Sequence, residues 1–285
     1  FYAYGFSAVL SRRKVTGEWL YELYQNGSAK CLFEREGSKR PVLNDGITLT
    51  NIEKNKFETY ADDFEGNETS LFLTEMNRGK KYSTRSKLLF FRDVYDWIQN
   101  HISIITPDTP LIDLEYYYDD NSLKLINKLI KTFDTGISQV KIEEITLDEL
   151  SNALPKSVFD KMMQHVKNRM EEQEEPSFRM TMRSKETFFN IEVEGHSEPK
   201  VTTIRLHHNK SFYEFGFEEE SDGTRRLFDL MDMLLNKRED VLYVVDELER
   251  SLHPKLTERF LQLFMQLHNE QRMQLLFTKI GRAHV

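Results

Sequence analysis

No other segment restricts the possible folds of this chain as much as VLYVVDELERSLHP, from Val241 to Pro254. It opens with an uninterrupted apolar run, which is typical of a strand buried on both faces of a parallel sheet. Two carboxylates, Asp246 and Glu247, follow that run directly. Because ligands in open α/β sheets bind beyond the carboxyl ends of the strands, the segment predicts a ligand site at these two residues.

The order of elements around this segment also indicates a parallel sheet. From Ser221 onward the chain alternates helix, strand, helix and strand patterns, in SDGTRRLFDLMDMLLNK, VLYVVDE, KLTERFLQLFMQLHNEQ and MQLLFT. Parallel strands require crossover connections, which helices usually supply. We therefore predict that Val241–Val245 is a central strand and that the strand Gln274–Thr278 flanks it.

The beginning of the chain has the pattern of antiparallel strands. FYAYGFSAVL, KVTGEWLYELY and AKCLFERE are rich in aromatic and β-branched residues, and Asn26-Gly27 is a typical hairpin signal. We interpret residues 1–68 as an antiparallel β part, 69–175 as a helical insertion and 176–279 as a C-terminal α/β part. The pair His207-His208 has no carboxylate or cysteine at ligand spacing, which favours a sheet edge over a metal site.

Composition narrows the class of protein. A net charge of −8 and a pI near 5.6 give no overall attraction for nucleic acid, although a local basic patch remains compatible with them. The single cysteine, Cys31, excludes an internal disulfide and fits a reducing, cytoplasmic compartment. No apolar run has the length of a membrane-spanning helix, so we expect no membrane partner.

The two carboxylates have a known chemical use in this position. In P-loop NTPases an Asp at the end of such a strand holds the magnesium that bridges the nucleotide phosphates. A neighbouring Glu can orient or deprotonate the attacking water. The alternative is that Asp246 or Glu247 only caps the turn into the next helix. The short motif alone leaves both interpretations open.

The wider context resembles the ABC-type ATPases of AAA-like proteins, which are relatives of SMC proteins in OLD-type and abortive-infection defence systems. DELERSLHP, the helix after it and QLLFT carry the resemblance most specifically. EEESDGTRRLFDL resembles the family's signature segment, and YGFSAVLSRRKVTGEWLYE resembles its antiparallel segment. The resemblance implies a partial ABC-ATPase-like P-loop NTPase core within an α/β fold, with an antiparallel β lobe and a helical insertion.

The same resemblance implies ATP and Mg²⁺ as cofactors, with Asp246 at the metal and Glu247 as the catalytic residue. It implies that Ser221, Gly223 and Thr224 contact the phosphate bound by an opposing subunit, in a homodimer closed over ATP. A helix N-terminus suits that role, because its N–H groups and dipole favour anions. An ordinary N-cap is the alternative role of Ser221.

The family's D-loop corresponds to Leu248–Pro254, and within it the resemblance assigns Ser251 and His253 to the site.

The phosphate-binding loop is the missing part, because no G-x-x-x-x-G-K-[ST] occurs in the chain. NGSAK, from Asn26 to Lys30, lacks the glycine before the lysine and lies between two strand patterns. In the family the loop precedes the segment where this chain begins, so we expect an internal fragment that is inactive alone.

We interpret the last six residues, IGRAHV at 280–285, as a tail that does not come from the protein's own gene. A common sequencing-adapter stretch translates to this hexapeptide, which predicts a non-native tail. For that reason His284 is not assigned as the histidine that senses the γ-phosphate in the family.

Three functional hypotheses follow. The first is ATP hydrolysis by the intact parent, coupled to a bacterial defence or DNA-related effector. The second is a non-hydrolysing scaffold in which the helical insertion docks a partner. The third is a metal-dependent nuclease that uses Asp246 and Glu247 directly, although no further acidic cluster at suitable spacing follows Glu247. Nucleic acid is compatible with each hypothesis as a partner, but the overall charge does not indicate it.

Overall fold

The computed structural model describes residues 1–107, 120–172, 177–183, 188–235, 238–268 and 271–279. The chain divides into two compact units, Phe1–Ile102 and Ser103–Val285. Antiparallel and parallel sheets occur together with helices, so the predicted α/β fold class is confirmed at this level. The predicted tail at 280–285 lies outside the described residues.

A four-stranded antiparallel sheet belongs to the unit Phe1–Ile102. Its strands follow the chain in order: β1 (Tyr2–Val9), β2 (Lys14–Leu23), β3 (Ala29–Glu36) and β4 (Val42–Leu43). The three strands predicted for this part of the chain are confirmed. Gly27 turns the β2–β3 hairpin with a φ of +81°, a left-handed conformation that glycine adopts without a steric penalty.

Helices pack on this sheet through an aromatic core. They are α1 (Asn51–Phe64), α2 (Phe72–Asn77) and α3 (Leu89–His101). The ring of Phe33 on β3 lies 5.8 Å from that of Phe72 and 5.0 Å from that of Phe91, measured between centroids. The prediction of helices after Thr69 is confirmed here, but α1 falls within residues 1–68, which we had predicted to be β structure.

The second unit contains an antiparallel sheet in which β9 occupies a central position. The strands are β6 (Ile137–Ile145), β7 (Ser177–Arg183), β8 (Phe188–Glu194), β9 (Lys200–His208) and β10 (Glu214–Gly216). They are ordered β10-β9-β8-β7, and β6 pairs with the other side of β9. The sheet-edge prediction is therefore wrong for His207, which pairs with β6 on one side and with β10 on the other. His208, the last residue of β9, pairs with β6 only.

Among the described residues of this unit, the helices before β7 are α4 (Asp120–Lys131), α5 (Leu147–Ala153) and α6 (Lys156–Glu171). The break between α5 and α6 occurs at Pro155, where the sequence pattern is interrupted. Strand β6 lies inside the range 69–175 that was predicted as a helical insertion, so that region is not purely helical. No helix within the described residues is long and apolar enough to span a membrane.

A three-stranded sheet positions the two carboxylates. It has the order β12-β11-β5, formed by β5 (Ile102–Ile105), β11 (Leu242–Val245) and β12 (Gln274–Phe277). Helix α7 (Asp222–Leu235) precedes β11, and α8 (Pro254–Leu267) connects β11 to its parallel neighbour β12. The predicted central strand is thus confirmed, and its Tyr243 and Val245 side chains are fully buried.

Candidate functional site

Asp246 and Glu247 leave the sheet at the carboxyl end of β11. The Asp246 N–H donates to the carbonyl of Ile105 at 2.9 Å, and the Leu248 N–H donates to the carbonyl of Thr278 at 3.2 Å. The Leu248 side chain is completely buried. These contacts anchor the backbone of the turn to the two neighbouring strands. The Asp246 residue is nevertheless exposed, and the Glu247 side chain is 29% exposed.

The hydroxyl of Thr278 connects the two acidic residues. It donates to Asp246 Oδ1 at 2.5 Å and accepts from the Glu247 N–H at 2.8 Å. The Thr278 N–H in turn donates to the Val245 carbonyl at 3.0 Å. Sequence reasoning placed Thr278 at the end of a flanking strand but did not assign it to the site. The available signal was its position, because it is the first polar residue after the apolar run that flanks β11.

The backbone at Glu247 has an unusual conformation. Its φ is +50°, and that of Ser251 is +64°, in the left-handed region that residues other than glycine rarely occupy. Such a conformation costs on the order of 1–3 kcal/mol and is concentrated at functional sites. Arg250 supports the turn, since its N–H donates to the Glu247 carbonyl at 3.0 Å and its guanidinium lies 3.8 Å from the Glu247 carboxylate.

The predicted signature segment forms the N-terminus of α7. Ser221 Oγ accepts from the Thr224 N–H at 3.2 Å and lies 3.0 Å from Thr224 Oγ1, so Ser221 is the N-cap of this helix. Thr224 is buried, whereas Ser221 is exposed. The N-cap role that was the alternative for Ser221 is therefore present. It leaves the hydroxyl at the surface, where the helix dipole favours an anion.

Gly223 brings the signature segment against the D-loop. A Cβ atom at Gly223 would lie 2.6 Å from the carbonyl oxygen of Ser251, which is closer than a real Cβ contact. Glycine is thus required for this approach of α7 to the turn that follows Glu247. The structure therefore brings together Asp246, Glu247 and Thr278, and separately brings Gly223 to Ser251, with the turn Leu248–Ser251 joining the two groups.

His253 has a structural position in the D-loop. Its Nδ1 accepts from the Lys255 N–H at 3.3 Å, and it is the N-cap of α8, with Pro254 in the first turn. Its side chain is exposed. The contact that the structure shows for His253 is therefore the helix cap.

The donor set at Asp246 fits magnesium held jointly with phosphates. Mg²⁺ is usually bound through one or two carboxylates, together with waters and substrate phosphates. Asp246 offers an exposed carboxylate whose orientation is fixed by the Thr278 hydroxyl. A metal held by side chains alone fits less well, because within the described residues no three His, Cys, Asp or Glu side chains converge.

Comparison with known proteins identifies a family for this chain. A family model described as "AAA domain, putative AbiEii toxin, Type IV TA system" matches residues 2–278. Neither the comparison with curated proteins nor the comparison with solved structures gives a match. The family match covers both units, the signature segment and the two carboxylates. The chain therefore belongs to this family of AAA domains, which are nucleotide-binding ATPase domains.

Proposed function

We propose that this chain supplies the magnesium-binding and water-activating groups of a site that hydrolyses ATP. One observation carries the proposal: Asp246 and Glu247 lie at the carboxyl end of a central parallel strand, and one Thr278 hydroxyl holds both. Membership of an AAA-domain family supports nucleotide as the ligand. The finer resemblance to ABC-type, SMC-related ATPases supports a cytoplasmic enzyme coupled to a defence or DNA-related effector.

Each residue has a distinct task in this proposal. Asp246 would hold Mg²⁺, which when bound neutralises charge on the phosphates. Glu247 orients the attacking water and accepts its proton, and the adjacent turn keeps its side chain partly exposed for that purpose. Thr278 positions both groups, because its hydroxyl fixes the Asp246 carboxylate and the Glu247 backbone.

The proposal includes a homodimer in which the segment containing Ser221, Gly223 and Thr224 faces the phosphate held by a second copy. The exposed member is Ser221, whereas Thr224 is buried and contacts the Ser221 hydroxyl at 3.0 Å. The N-terminus of α7 supports this role, because the first N–H groups of a helix lack intrahelical carbonyl partners and the helix dipole favours anions. The Thr224 N–H is already capped, since it donates to Ser221 Oγ. Ser251 belongs to the same arrangement, since its carbonyl lies against Gly223. Closure of two copies over ATP would then connect one copy's D-loop with the other copy's phosphates.

A non-hydrolysing scaffold is the second candidate. The observation in its favour is that the 285 residues contain no G-x-x-x-x-G-K-[ST], the loop that cradles the phosphates in P-loop NTPases. The nuclease hypothesis has less support, because the described residues bring no third carboxylate or histidine to Asp246 and Glu247.

The decisive test is Glu247→Gln in the protein expressed from its full open reading frame. The amide keeps the shape but cannot accept the proton, so we expect kcat for ATP to fall about a hundred- to ten-thousand-fold while ATP binding is retained. Glu258→Gln on α8 is the matched control and should hydrolyse ATP at the wild-type rate. A wild-type rate in Glu247→Gln would remove Glu247 from catalysis, and an inactive wild-type protein that binds a partner would favour the scaffold.

A further inference from the structure

A basic, acid-free segment runs from the last residues of α2 through the following loop into the first turn of α3 in the first unit. From Met76 to Arg92 the sequence MNRGKKYSTRSKLLFFR contains lysines and arginines but no aspartate or glutamate. This local excess contrasts with the net charge of −8 for the whole chain. The proposed ATPase site lies in the other unit and makes no use of the segment.

The loop at 78–88 is held in place by contacts on its inner side. The Glu53 carboxylate of α1 accepts from the Ser86 hydroxyl and from the Lys87 N–H, each at 2.8 Å. The Tyr82 hydroxyl donates to the Met76 carbonyl at 2.6 Å. Arg92, which lies in α3 after the loop, donates to the carbonyls of Asn77 and Lys80 at its beginning. These bonds hold the two ends of the loop close together.

The basic side chains of the segment fall into two groups. Lys80 and Arg92 are neutralised locally, by Glu75 at 2.6 Å and by Asp96 at 3.4 Å. The second group is exposed and has no acidic partner within ion-pairing distance among the described residues. It consists of Arg78, Lys81, Arg85 and Lys87. Lys56 adds a further positive charge beside them, because its Nζ donates to the Lys81 carbonyl at 3.2 Å.

Basic side chains elsewhere in this unit provide a contrast. Several of them form ion pairs with acidic neighbours: Lys14 with Glu68, Lys39 with Glu36, Arg40 with Asp62 and Lys54 with Glu58. The loop at 78–88 instead presents several uncompensated charges from one anchored backbone. Such a surface matches a partner whose negative charges repeat at short intervals, as the phosphates of a nucleic acid do.

The aromatic rings near the loop indicate which nucleic acid fits. Lys56 and Arg92 lie 4.7 and 5.8 Å from the centroid of the Tyr82 ring, and Lys80 lies 3.6 Å from that of Tyr60. Rings covered by cations are not available to stack on the bases of a single strand. Flexible basic side chains without such a platform instead suit the outer phosphates of a duplex.

We propose that the loop at 78–88 binds the phosphate backbone of double-stranded DNA without reading its sequence. The contacts come from Arg78, Lys81, Arg85 and Lys87, and the anchoring by Glu53 keeps these charges close together before DNA arrives. Binding depends on charge, so it weakens with salt. If each of the four side chains meets one phosphate, log K should fall against log salt with a slope of roughly −3.6.

Fluorescence anisotropy with a labelled DNA duplex and the 285-residue chain tests this proposal. We expect affinity to fall roughly a hundredfold between about 50 and 200 mM salt, as four phosphate contacts predict. The variant Arg78→Gln/Lys81→Gln/Arg85→Gln/Lys87→Gln should lose most of this affinity and nearly all of the salt dependence. Thermal unfolding should show that the variant remains folded, because the altered side chains are exposed.

The matched control neutralises four basic side chains that already have acidic partners, as Lys14→Gln/Lys39→Gln/Arg40→Gln/Lys54→Gln. It changes the net charge equally and should keep wild-type affinity and slope. Equal weakening of both variants would overturn the proposal in favour of general electrostatics. Tighter binding to single-stranded DNA, to double-stranded RNA or to phosphatidylserine vesicles would also overturn it. Glu247→Gln should leave the affinity for DNA unchanged. The DNA-binding proposal and the ATPase proposal can therefore fail independently of each other.

Discussion

At the scale of single residues, some features of the site can be predicted from the sequence, whereas others depend on tertiary contacts. Asp246 and Glu247 could be predicted, because a buried-strand pattern and the residues after it are local. The hydroxyl bonds of Thr278 could not, because they require the parallel register in which Val245 lies opposite Phe277. The contact between Gly223 and Ser251 likewise depends on how α7 packs against the turn after β11.

Arg226 is a buried cation whose effect on stability can be measured. The residue is only 6% exposed, and none of its guanidinium nitrogens has a hydrogen-bond partner among the described residues. Burial lowers the pKa of Arg226, Asp229 opposes that effect and Arg250 adds to it. An uncompensated buried charge is costly, and replacing it by an apolar side chain of similar volume often stabilises a protein.

We therefore expect Arg226→Met to raise the melting temperature of the chain by a few degrees. A gain of about 1 kcal/mol corresponds to roughly 2–4 °C for a domain of 150–250 residues. Differential scanning calorimetry provides the measurement. Arg225→Met is the control, because Arg225 pairs with Asp222 at 2.7 Å and should gain nothing. A lower melting temperature in Arg226→Met would show that the guanidinium stabilises the fold.

At the scale of elements, the missed helix and the missed strand have different causes. Helix α1 was predictable, since Thr50 and Glu53 form a capping box and Phe57, Ala61 and Phe64 recur on one face at helical spacing. Strand β6 was less visible. A register irregularity between Ile137 and Gln139 interrupts the alternation of period two on which strand prediction relies.

Glu53 joins α1 to the basic loop, and this link should depend on pH. Partial burial alone raises the pKa of Glu53, but hydrogen bonds donated by Thr50, Ser86 and Lys87 outweigh it and lower the pKa from 4.5 to about 2. A carboxyl group whose folded pKa is lowered stabilises the protein above its unfolded pKa. That stabilisation is lost as the pH falls from about 4.5 towards 2.

Glu53→Gln should accordingly lower the melting temperature at pH 7, and its difference from the wild type should shrink as the pH falls below about 4.5. Thermal unfolding followed by circular dichroism at several pH values measures both effects. Glu58→Gln on the same helix is the control, because its contact with Lys54 is exposed and long, at 3.9 Å. A pH-independent difference for Glu53→Gln would contradict the role of its ionised form.

At the scale of the whole molecule, the proposed homodimer can be tested through Ser221. Gly223 is unsuitable, because any side chain there meets the protein's own Ser251 carbonyl. Ser221→Gly removes the hydroxyl but should cost only a few tenths of a kcal/mol at an N-cap. In the protein expressed from its full open reading frame we expect this variant to lose ATP-dependent dimerisation, measured by light scattering, while its melting temperature without ATP stays nearly unchanged. Dimerisation equal to the wild type would contradict the proposed contact across the dimer.

The ATP affinity of the 285-residue chain tests whether Asp246 and Glu247 can hold the nucleotide without a phosphate-binding loop. In P-loop NTPases the backbone cradle and lysine of the phosphate loop supply most phosphate contacts, and this sequence has no such motif. Asp246 and Glu247 alone repel a polyanion, since like charges at close range raise the energy.

We therefore expect the chain alone to show neither ATP hydrolysis nor tight ATP binding by calorimetry, with Mg²⁺ present. The same preparation should still bind duplex DNA, because the basic loop at 78–88 carries its own charges and anchoring contacts. A cooperative thermal unfolding transition of the same sample is the control that the protein is folded. Micromolar ATP affinity would mean that groups other than a phosphate loop hold the nucleotide, and the division of roles proposed for Asp246 and Glu247 would have to be revised.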